Sequence, residues 1–352
     1  MERGSGGEGL GMKIDEKLVQ YEATLILRET LGIGDQRICN ILNKLGFKNI
    51  SVNTIKHWIY RKKAPRKTSP LIKGLFYHKA HSIVHSLPTN HTPRKIKKKL
   101  KEILNIWIPE TTIRNWKNGA KPTIKPIKLC PELGYIIGVL LSDGNKQRAL
   151  LRVRDKDFAE NYAKALKCVL GEEYQIKEKD FYEVSARGSV LVYIIQSKLW
   201  KVIGFIYTKD FLQGLFDGDG SVNVTASKRF RIAVSFTNSN FELIDFVNML
   251  LQVKYGIRTR INTICKDGQI IHIKNKEYKV KETRQIIIYR KEDIRKFFNE
   301  IGFRIRRKQK KLFDALLVQN KYGSGKIAVR EWKKIYSKKN NKWIRASLTL
   351  HS

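Results

Sequence analysis

The sequence predicts an α+β protein in which an all-α region of repeated helix-turn-helix units precedes two pseudo-symmetric αββαββ halves. Three observations predict it. The first 125 residues match themselves at an offset of 58. Two apolar segments, each ending in Asp-Gly, match each other at an offset of 76. The tripeptide Ile-Gly-Phe closes each half, at 203–205 and again at 301–303.

Composition narrows what such a protein does. The 352 residues carry 70 Lys+Arg against 32 Asp+Glu, a formal net charge of +38. A monomer with that excess repels itself unless its working partner is a polyanion. Nucleic acid is the partner that a pI of about 10.1 fits. No run of apolar residues is long enough for a membrane span, and the first 12 residues lack the apolar core of a secretion signal. A cytoplasmic, intracellular location beside the DNA is therefore expected, with no membrane partner. The four cysteines, Cys39, Cys130, Cys168 and Cys265, form no CxxC pair; their spacing reads as reduced thiols, neither a disulfide framework nor a zinc site.

The elements follow in order. Residues 1–12 are Gly-rich and expected to be disordered. Residues 13–65 and 69–120 read as two helix-turn-helix units. In the self-match, Ile38, Leu42, Thr54, Ile55 and Trp58 fall on Ile96, Leu100, Thr112, Ile113 and Trp116. Helices are predicted over 15–31, 36–45 and 93–104 and over 71–87, with last helices starting at Ser51 and Pro109. In those last helices Ile55 and Trp58 share the inward face. Asn53, Lys56, His57 and Tyr60, and in the second copy Thr111, Arg114, Asn115 and Lys117, are left outside. These residue types reach base edges and phosphates. From Gln36 to Lys101 there are 17 Lys/Arg and no acid. His78, His81 and His85 line one helix face with His91 nearby, but no Cys or acid completes a metal site; a solvated or phosphate-facing stripe is the better reading. Residues 121–130, with two prolines and three lysines, form a basic linker.

Residues 131–207 and 208–322 are the two halves. Residues 133–145 read LGYIIGVLLSDGN and residues 211–223 read FLQGLFDGDGSVN. Gly138 and Gly214 fall in mid-helix, where glycine costs about 1 kcal/mol relative to alanine. Their presence makes sense if the two helices pack backbone to backbone. Asp143 and Asp219 then come together at the base of that pair. Two carboxylates there repel unless cations bind between them, so the arrangement suits a divalent metal. After the first motif, a strand (148–154), a helix (155–170) and strands over 173–184 and 188–196 are predicted. After the second come strands near 221–225 and 229–237, a helix (239–253), strands near 257–265, 269–274 and 278–289, and a helix (291–300). The second half carries about 22 extra residues, assigned to a hairpin around 265–282. Residues 323–352 form a basic C-terminal extension; from Gly302 to Ser352 there are 15 Lys/Arg and two acids.

Residues 212–220 (LQGLFDGDG) and, more loosely, 136–144 (IIGVLLSDG) resemble the LAGLIDADG homing endonucleases in their single-chain, two-motif form. Leu141 stands where that family often has an acid. The resemblance implies a saddle of two antiparallel sheets along the major groove of double-stranded DNA. It implies a monomeric, site-specific endonuclease that cuts both strands of a long, near-palindromic or asymmetric site by metal-dependent hydrolysis. Asp143 and Asp219 would hold Mg²⁺, or Mn²⁺ in its place, with the carbonyls of Ser142 and Gly218 as further ligands. Lys308 matches a catalytic family lysine, and its first-half counterpart is expected near Lys209. Arg148, Arg152, Arg154, Lys228, Arg229, Arg231, Arg258 and Arg260 would contact DNA. The competing reading is a binding module of the same fold, either a non-cleaving regulator or a maturase acting on structured intron RNA. Because the chain ends show no intein splicing residues, a free-standing enzyme of an intron or mobile element is expected.

Overall fold

A computed structural model describes residues 14–145, 147–186, 188–273, 276–339 and 342–346. The expected disordered residues 1–12 and the last six of the C-terminal extension lie outside the described residues. The chain divides into two compact units, Met1–Leu129 with Ser189–Val202, and Cys130–Gly188 with Ile203–Ser352.

The first unit carries the predicted repeat. Its helices are α1 (Glu16–Leu31), α2 (Asp35–Lys44), α3 (Val52–Ile59), α4 (Pro70–Ser86), α5 (Pro93–Leu104) and α6 (Glu110–Lys117). Side-chain caps fix their starts: Asp15 accepts from the Leu18 N–H, Ser51 from Thr54, Ser69 from Ile72 and Thr92 from Lys95. The tryptophan of each last helix meets a tyrosine of the long helix before it edge to face, Trp58 on Tyr21 at 5.8 Å and Trp116 on Tyr77 at 5.2 Å. Asn105 ends α5 in the left-handed region at φ 52°. Its side chain donates to the Trp58 carbonyl at 2.7 Å, and its own carbonyl accepts from the Tyr21 hydroxyl. The two copies thereby share one core, running from Leu18 and Trp58 through Tyr77 to Ile113 and Trp116.

The second unit begins with α7 (Pro131–Ser142), β1 (Leu150–Val153), α8 (Lys156–Leu170), β2 (Lys177–Glu178) and β3 (Tyr182–Ser185). Next along the chain come α9 (Ser189–Gln196), which belongs to the first unit, and α10 (Leu199–Ile206); the second unit resumes with α11 (Thr208–Asp219), β4 (Gly220–Ala226), β5 (Phe230–Asn238) and α12 (Phe241–Tyr255). The chain continues through β6 (Arg260–Cys265), β7 (Ile270–Ile273), β8 (Lys276–Lys279) and β9 (Thr283–Ile288). It ends with α13 (Lys291–Lys296), which runs on as a π turn over Phe297–Ile301, and then α14 (Arg306–Tyr322), α15 (Lys326–Ile335), β10 (Tyr336–Lys339) and β11 (Lys342–Arg345). The second half is complete, with an antiparallel sheet in the order β4-β5-β9-β6. Within the 265–282 segment to which the extra residues were assigned, β7 and β8 form a separate two-stranded sheet. The α+β class stands.

The halves are unequal. A strand was expected over 188–196, and the structure has the helix α9 there, leaving the first half a small sheet in the order β1-β3-β2. SVLVYIIQ is rich in β-branched residues, so local propensity favours a strand. Burial decides otherwise: Val190, Leu191, Tyr193, Ile194 and Ile195 are all buried, and α9 packs on α4 as part of the first unit. Lys198 and Lys201 donate to the carbonyls of Gly46 and Leu45 just past α2. The Tyr193 hydroxyl donates to Glu22 at 2.7 Å, and the Ser69 hydroxyl donates to the same carboxylate.

The crossing of α7 and α11 positions everything that follows. A Cβ on Gly138 would overlap the Phe211 carbonyl oxygen and lie 2.9 Å from the Leu215 nitrogen. A Cβ on Gly214 would overlap the Tyr135 carbonyl and lie 2.9 Å from the Val139 nitrogen. The two sets of partners are related by the same offset of 76 as the motifs themselves. The glycines thus let two backbones touch about a local two-fold.

Two stability predictions follow from these packings. Gly214→Ala forces the helices apart and should lower stability by about 3 kcal/mol or more, read as a drop in the thermal midpoint of the second unit. Glu22 is 1% exposed, and burial pushes its carboxyl up to about 7 against the hydroxyl donors. The folded state therefore binds a proton that the unfolded chain has released. The stability from this group is complete below pH about 4.5 and is lost as pH rises through 7, roughly 3 kcal/mol in all. Glu22→Gln, which keeps both hydroxyl contacts, should stabilise the protein at pH 8 and flatten its denaturation midpoints between pH 5 and 8. Unchanged midpoints at pH 8 would contradict it.

Candidate active site and nucleic-acid surface

The two Asp-Gly ends of the crossing helices are the natural place to look for chemistry. Asp143 caps the C-terminus of α7, and Asp219 is the last residue of α11. Their surroundings differ. Asp143 opens into a cavity of about 310 Å³ that it shares with Arg152, Arg154, Asp155, Asp217, Arg307 and Lys308. Among the described residues its carboxylate has no hydrogen-bond partner. The protein packed round it raises its pKa, Lys308 opposes that, and Asp155 adds to it. Asp219 does not line this cavity; its Oδ2 accepts from the Asn238 side chain at 2.7 Å.

Lys308 projects from the first turn of α14 onto the C-terminus of α11. Its Nζ donates to the carbonyls of Phe216, Asp217 and Gly218 at 3.0, 2.5 and 2.9 Å. A cation at a helix C-terminus meets unpaired carbonyls and the negative end of the dipole. Burial pulls Lys308 down to about 8, with Asp217 resisting. The Gly218 carbonyl, expected as a metal ligand, therefore already accepts from Lys308. Ser142 turns its hydroxyl back onto the Gly138 and Val139 carbonyls at 3.1 Å.

Three residues that sequence reasoning passed over hold this arrangement. Asp217 is buried, and its Oδ1 accepts the N–H groups of Arg304 and Ile305 at 3.0 and 3.2 Å while Oδ2 accepts the Tyr135 hydroxyl at 2.9 Å. Burial pushes it up to about 6 against those donors. Arg304 stacks on the Tyr135 ring at 4.0 Å and pairs with Asp210 and Gln213. Arg307 makes a two-pronged pair with Asp155 at 3.1 and 2.9 Å, which holds that carboxyl below its usual range. The acidic DGDG run was the available signal for Asp217; the Arg304 and Arg307 partners lie far off in sequence.

The family lysine expected near Lys209 is not at the site. Lys209 is exposed in the first turn of α11, about 15 Å along the helix from Asp219. Counting from the Ile-Gly-Phe marks, the residue equivalent to Lys308 is Asp210, which is paired with Arg304.

A longer groove meets the cavity at Gly218, Arg307 and Lys308. One wall is β4, and the other is built by α14, Lys333 of α15 and the β10-β11 hairpin. Arg307, Lys308, Lys310, Lys311, Lys333, Lys338, Lys339, Lys342 and Arg345 line it with no acid among them. Trp343 fastens the hairpin by donating to the Val224 carbonyl on β4 at 2.8 Å. The outer face of the four-stranded sheet is polar. Across it Ser221 pairs with Ser235, Thr225 with Arg231, and Thr237 with Gln285. Asn262 lies opposite Gln285 in turn. The expected DNA contacts on this sheet are its charges alone; the amide and hydroxyl rows lie outside them, and their signal is the alternation of β4 and β5.

The expected DNA contacts fall in different places. Arg152 and Arg154 stack on Phe181 at 4.7 and 5.3 Å and line the Asp143 cavity. Lys228 and Arg229 stand exposed at the β4–β5 turn, Arg231 on the outer face and Arg260 on the edge strand β6. Arg148 is exposed in the turn before β1. Arg258 is the exception, since it is paired with Asp293 and Glu292 of α13 at 3.4 and 3.7 Å. In the first unit Asn53 and Lys56 on α3, and Thr111, Arg114 and Asn115 on α6, are exposed. His57 is half-buried beside Arg61, and Lys117 donates to the Thr89 and His91 carbonyls. His78 meets the carbonyl of Ile124 in the linker, and His81 meets that of Ala120 just before it.

Residues 207–302 match the family profile of the LAGLIDADG-like domain. The chain is 29% identical over 255 residues to the protein MJ0398 of Methanocaldococcus jannaschii, an alignment spanning 66% of this chain and 91% of that one. A solved structure of mesophilic variants from the homing endonuclease I-DmoI aligns with 53% of this chain and 98% of its own, at 18% identity and a TM-score of 0.37. Full-length DUF199/WhiA from Thermotoga maritima aligns with 69% of this chain and 66% of its own, at 15% identity and a TM-score of 0.35. The stretch from Tyr207 to Gly302 is thus a LAGLIDADG-like domain, the part of the chain to which the family likeness applies.

Proposed function

We propose that the protein is a DNA endonuclease that hydrolyses phosphodiester bonds at the Asp-Gly ends of α7 and α11. One observation carries the reading: a basic groove along β4, with no acid among its described lining residues, meets the cavity where Asp143 stands open beside Lys308 and Arg307. A duplex laid along the groove would have its phosphates neutralised by the groove lysines, and its bases would face the amide and hydroxyl rows of the sheet.

The donors fit a hard divalent cation. Asp143 and Asp219 offer carboxylate oxygens, the ligand type that Mg²⁺ and Mn²⁺ take, and neither helix end brings sulfur or imidazole. A bound cation there would activate water and stabilise the charge that develops on the phosphate. The chain's own groups do the rest. Lys308 carries positive charge beside Asp143 while anchored on the α11 carbonyls. Arg152 and Arg154, braced on Phe181, would hold a phosphate at the cavity mouth. Arg307 is fixed in direction by Asp155.

A second reading, a DNA-binding regulator that does not cut, has its own observation. Asn238 already occupies Asp219, and Lys308 already occupies the Gly218 carbonyl, so part of a metal shell is filled by protein groups. The two readings separate in one experiment. Duplexes selected from a randomised pool by binding should be cleaved with Mg²⁺ or Mn²⁺. Asp143→Asn and Asp219→Asn should bind them with unchanged affinity and cut at least a hundredfold more slowly. Binding without any cleavage by the wild-type protein selects the regulator.

The first unit is proposed to lengthen the DNA contact through α3 and α6. Removing residues 1–125 would strip the buried face of α9, so surface substitutions are the cleaner test. Lys56→Ala with Arg114→Ala should weaken binding and flatten the slope of log K against log salt by about 0.9 per lost phosphate contact. An unchanged slope would mean that these helices do not touch DNA.

A further inference from the structure

The fold joins two cysteines that the sequence keeps apart. Cys130 is the N-cap of α7, Glu132 lies in the first turn of that helix, and Cys168 lies in the last turn of α8. One ligand atom from each, two sulfurs and a carboxylate oxygen, lie within 4.8 Å of one another. Two thiolates about 2.3 Å from a shared zinc ion can stand at most about 4.6 Å apart. The cluster is thus within a few tenths of an ångström of the span that one ion requires.

We propose that Cys130, Glu132 and Cys168 form a binding site for a thiophilic divalent cation of the zinc class, with a fourth position open to solvent on the Cys168 side. The donor set differs in kind from that of the Asp143 cavity: two soft sulfurs select zinc-like ions over magnesium. Cys168 is exposed, so an ion has a path in, while Cys130 is half-buried. Among the described residues Glu132 forms no ion pair, although the chain carries 70 Lys and Arg. The N-terminus of α7 favours anionic ligands, because its first N–H groups lack partners inside the helix.

The site is a staple, far from the chemistry. Asp143 lies at the other end of α7, 13 residues on, or about 20 Å of helix. Asp155, the partner of Arg307, likewise stands at the N-cap of α8, the end opposite Cys168. An ion on the three ligands would tie the start of α7 to the end of α8 and fix the two helices that frame one side of the cavity. The expectation that no cysteine joins a metal site rested on linear spacing, and the antiparallel return of α8 removes that argument.

The test uses the full-length reduced protein and Co²⁺ as the probe. One equivalent of Co²⁺ should give a thiolate-to-metal charge-transfer band in the near ultraviolet, and Zn²⁺ should bleach it. Zn²⁺ alone should raise the thermal midpoint. Cys168→Ser, at an exposed position that folding tolerates, should lower Co²⁺ affinity at least tenfold and abolish the Zn²⁺-dependent rise in midpoint. Glu132→Gln should weaken binding while keeping the sulfur band, and Cys265→Ser should change nothing. The proposal is overturned if no band forms at one equivalent or if the band survives in Cys168→Ser. It is equally overturned if the reduced protein takes up no metal and Cys130 and Cys168 join in a disulfide on exposure to air.

Discussion

The contact that the second unit depends on is the meeting of two helix backbones at Gly138 and Gly214. No side chain fits between them, so α7 and α11 are held at a fixed separation and a fixed register. That register brings Ser142 against Gly218, two positions related by the local two-fold, of which only one can carry a side chain. It sets Tyr135 against Asp217, and Asp217 in turn takes the first N–H groups leading into α14. Through α14 the same contact fixes Lys308 on the end of α11. The site is therefore the lower end of a close-packed helix pair, and its geometry is inherited from sterics that a single methyl group would destroy.

How much of this was legible depended on range. The helix pair could be read because glycine in mid-helix and Asp-Gly at the end are local signals, and an offset of 76 joins them. The helix-turn-helix repeat was legible for the same reason: Trp58 and Trp116 mark equivalent positions, and capping residues open the helices. The 188–196 segment was misread because β-branched composition predicts a strand, while Tyr193 and its neighbours are buried against a partner more than 100 residues away. The groove was illegible because it is made by two distant segments, β4 and the hairpin fastened by Trp343. Basic runs show that charge is present; only the fold shows which lysines converge and that no acid interrupts them.

Charge can also be too well satisfied to do what its type suggests. Arg258 reads as a DNA contact, yet two acids of α13 hold it. Lys117 reads as an outward residue of a recognition helix, yet two carbonyls take its ammonium. A basic side chain held by the fold costs more to move onto a phosphate than one left in water, since the internal partners must be given up. The residues that keep their freedom, Lys56 and Arg114 on the helices and the groove lysines other than Lys308, are better placed to exchange counterions for phosphates.

The unequal halves bear directly on the chemistry. When α9 packed into the first unit, the first half was left with a sheet of three short strands, while the second half kept four long ones. The helix carrying Lys308 follows the second half and has no counterpart after the first, where the chain passes straight into α11 and the equivalent position is Asp210. The single lysine binds the end of α11 yet faces the cavity of Asp143, so one aspartate has a lysine, two stacked arginines and open space, and the other has an asparagine. A sequence repeat therefore has not produced two equal sites. The local two-fold survives where sterics enforce it, at the glycines, and is lost where side chains beyond the motif decide the surroundings.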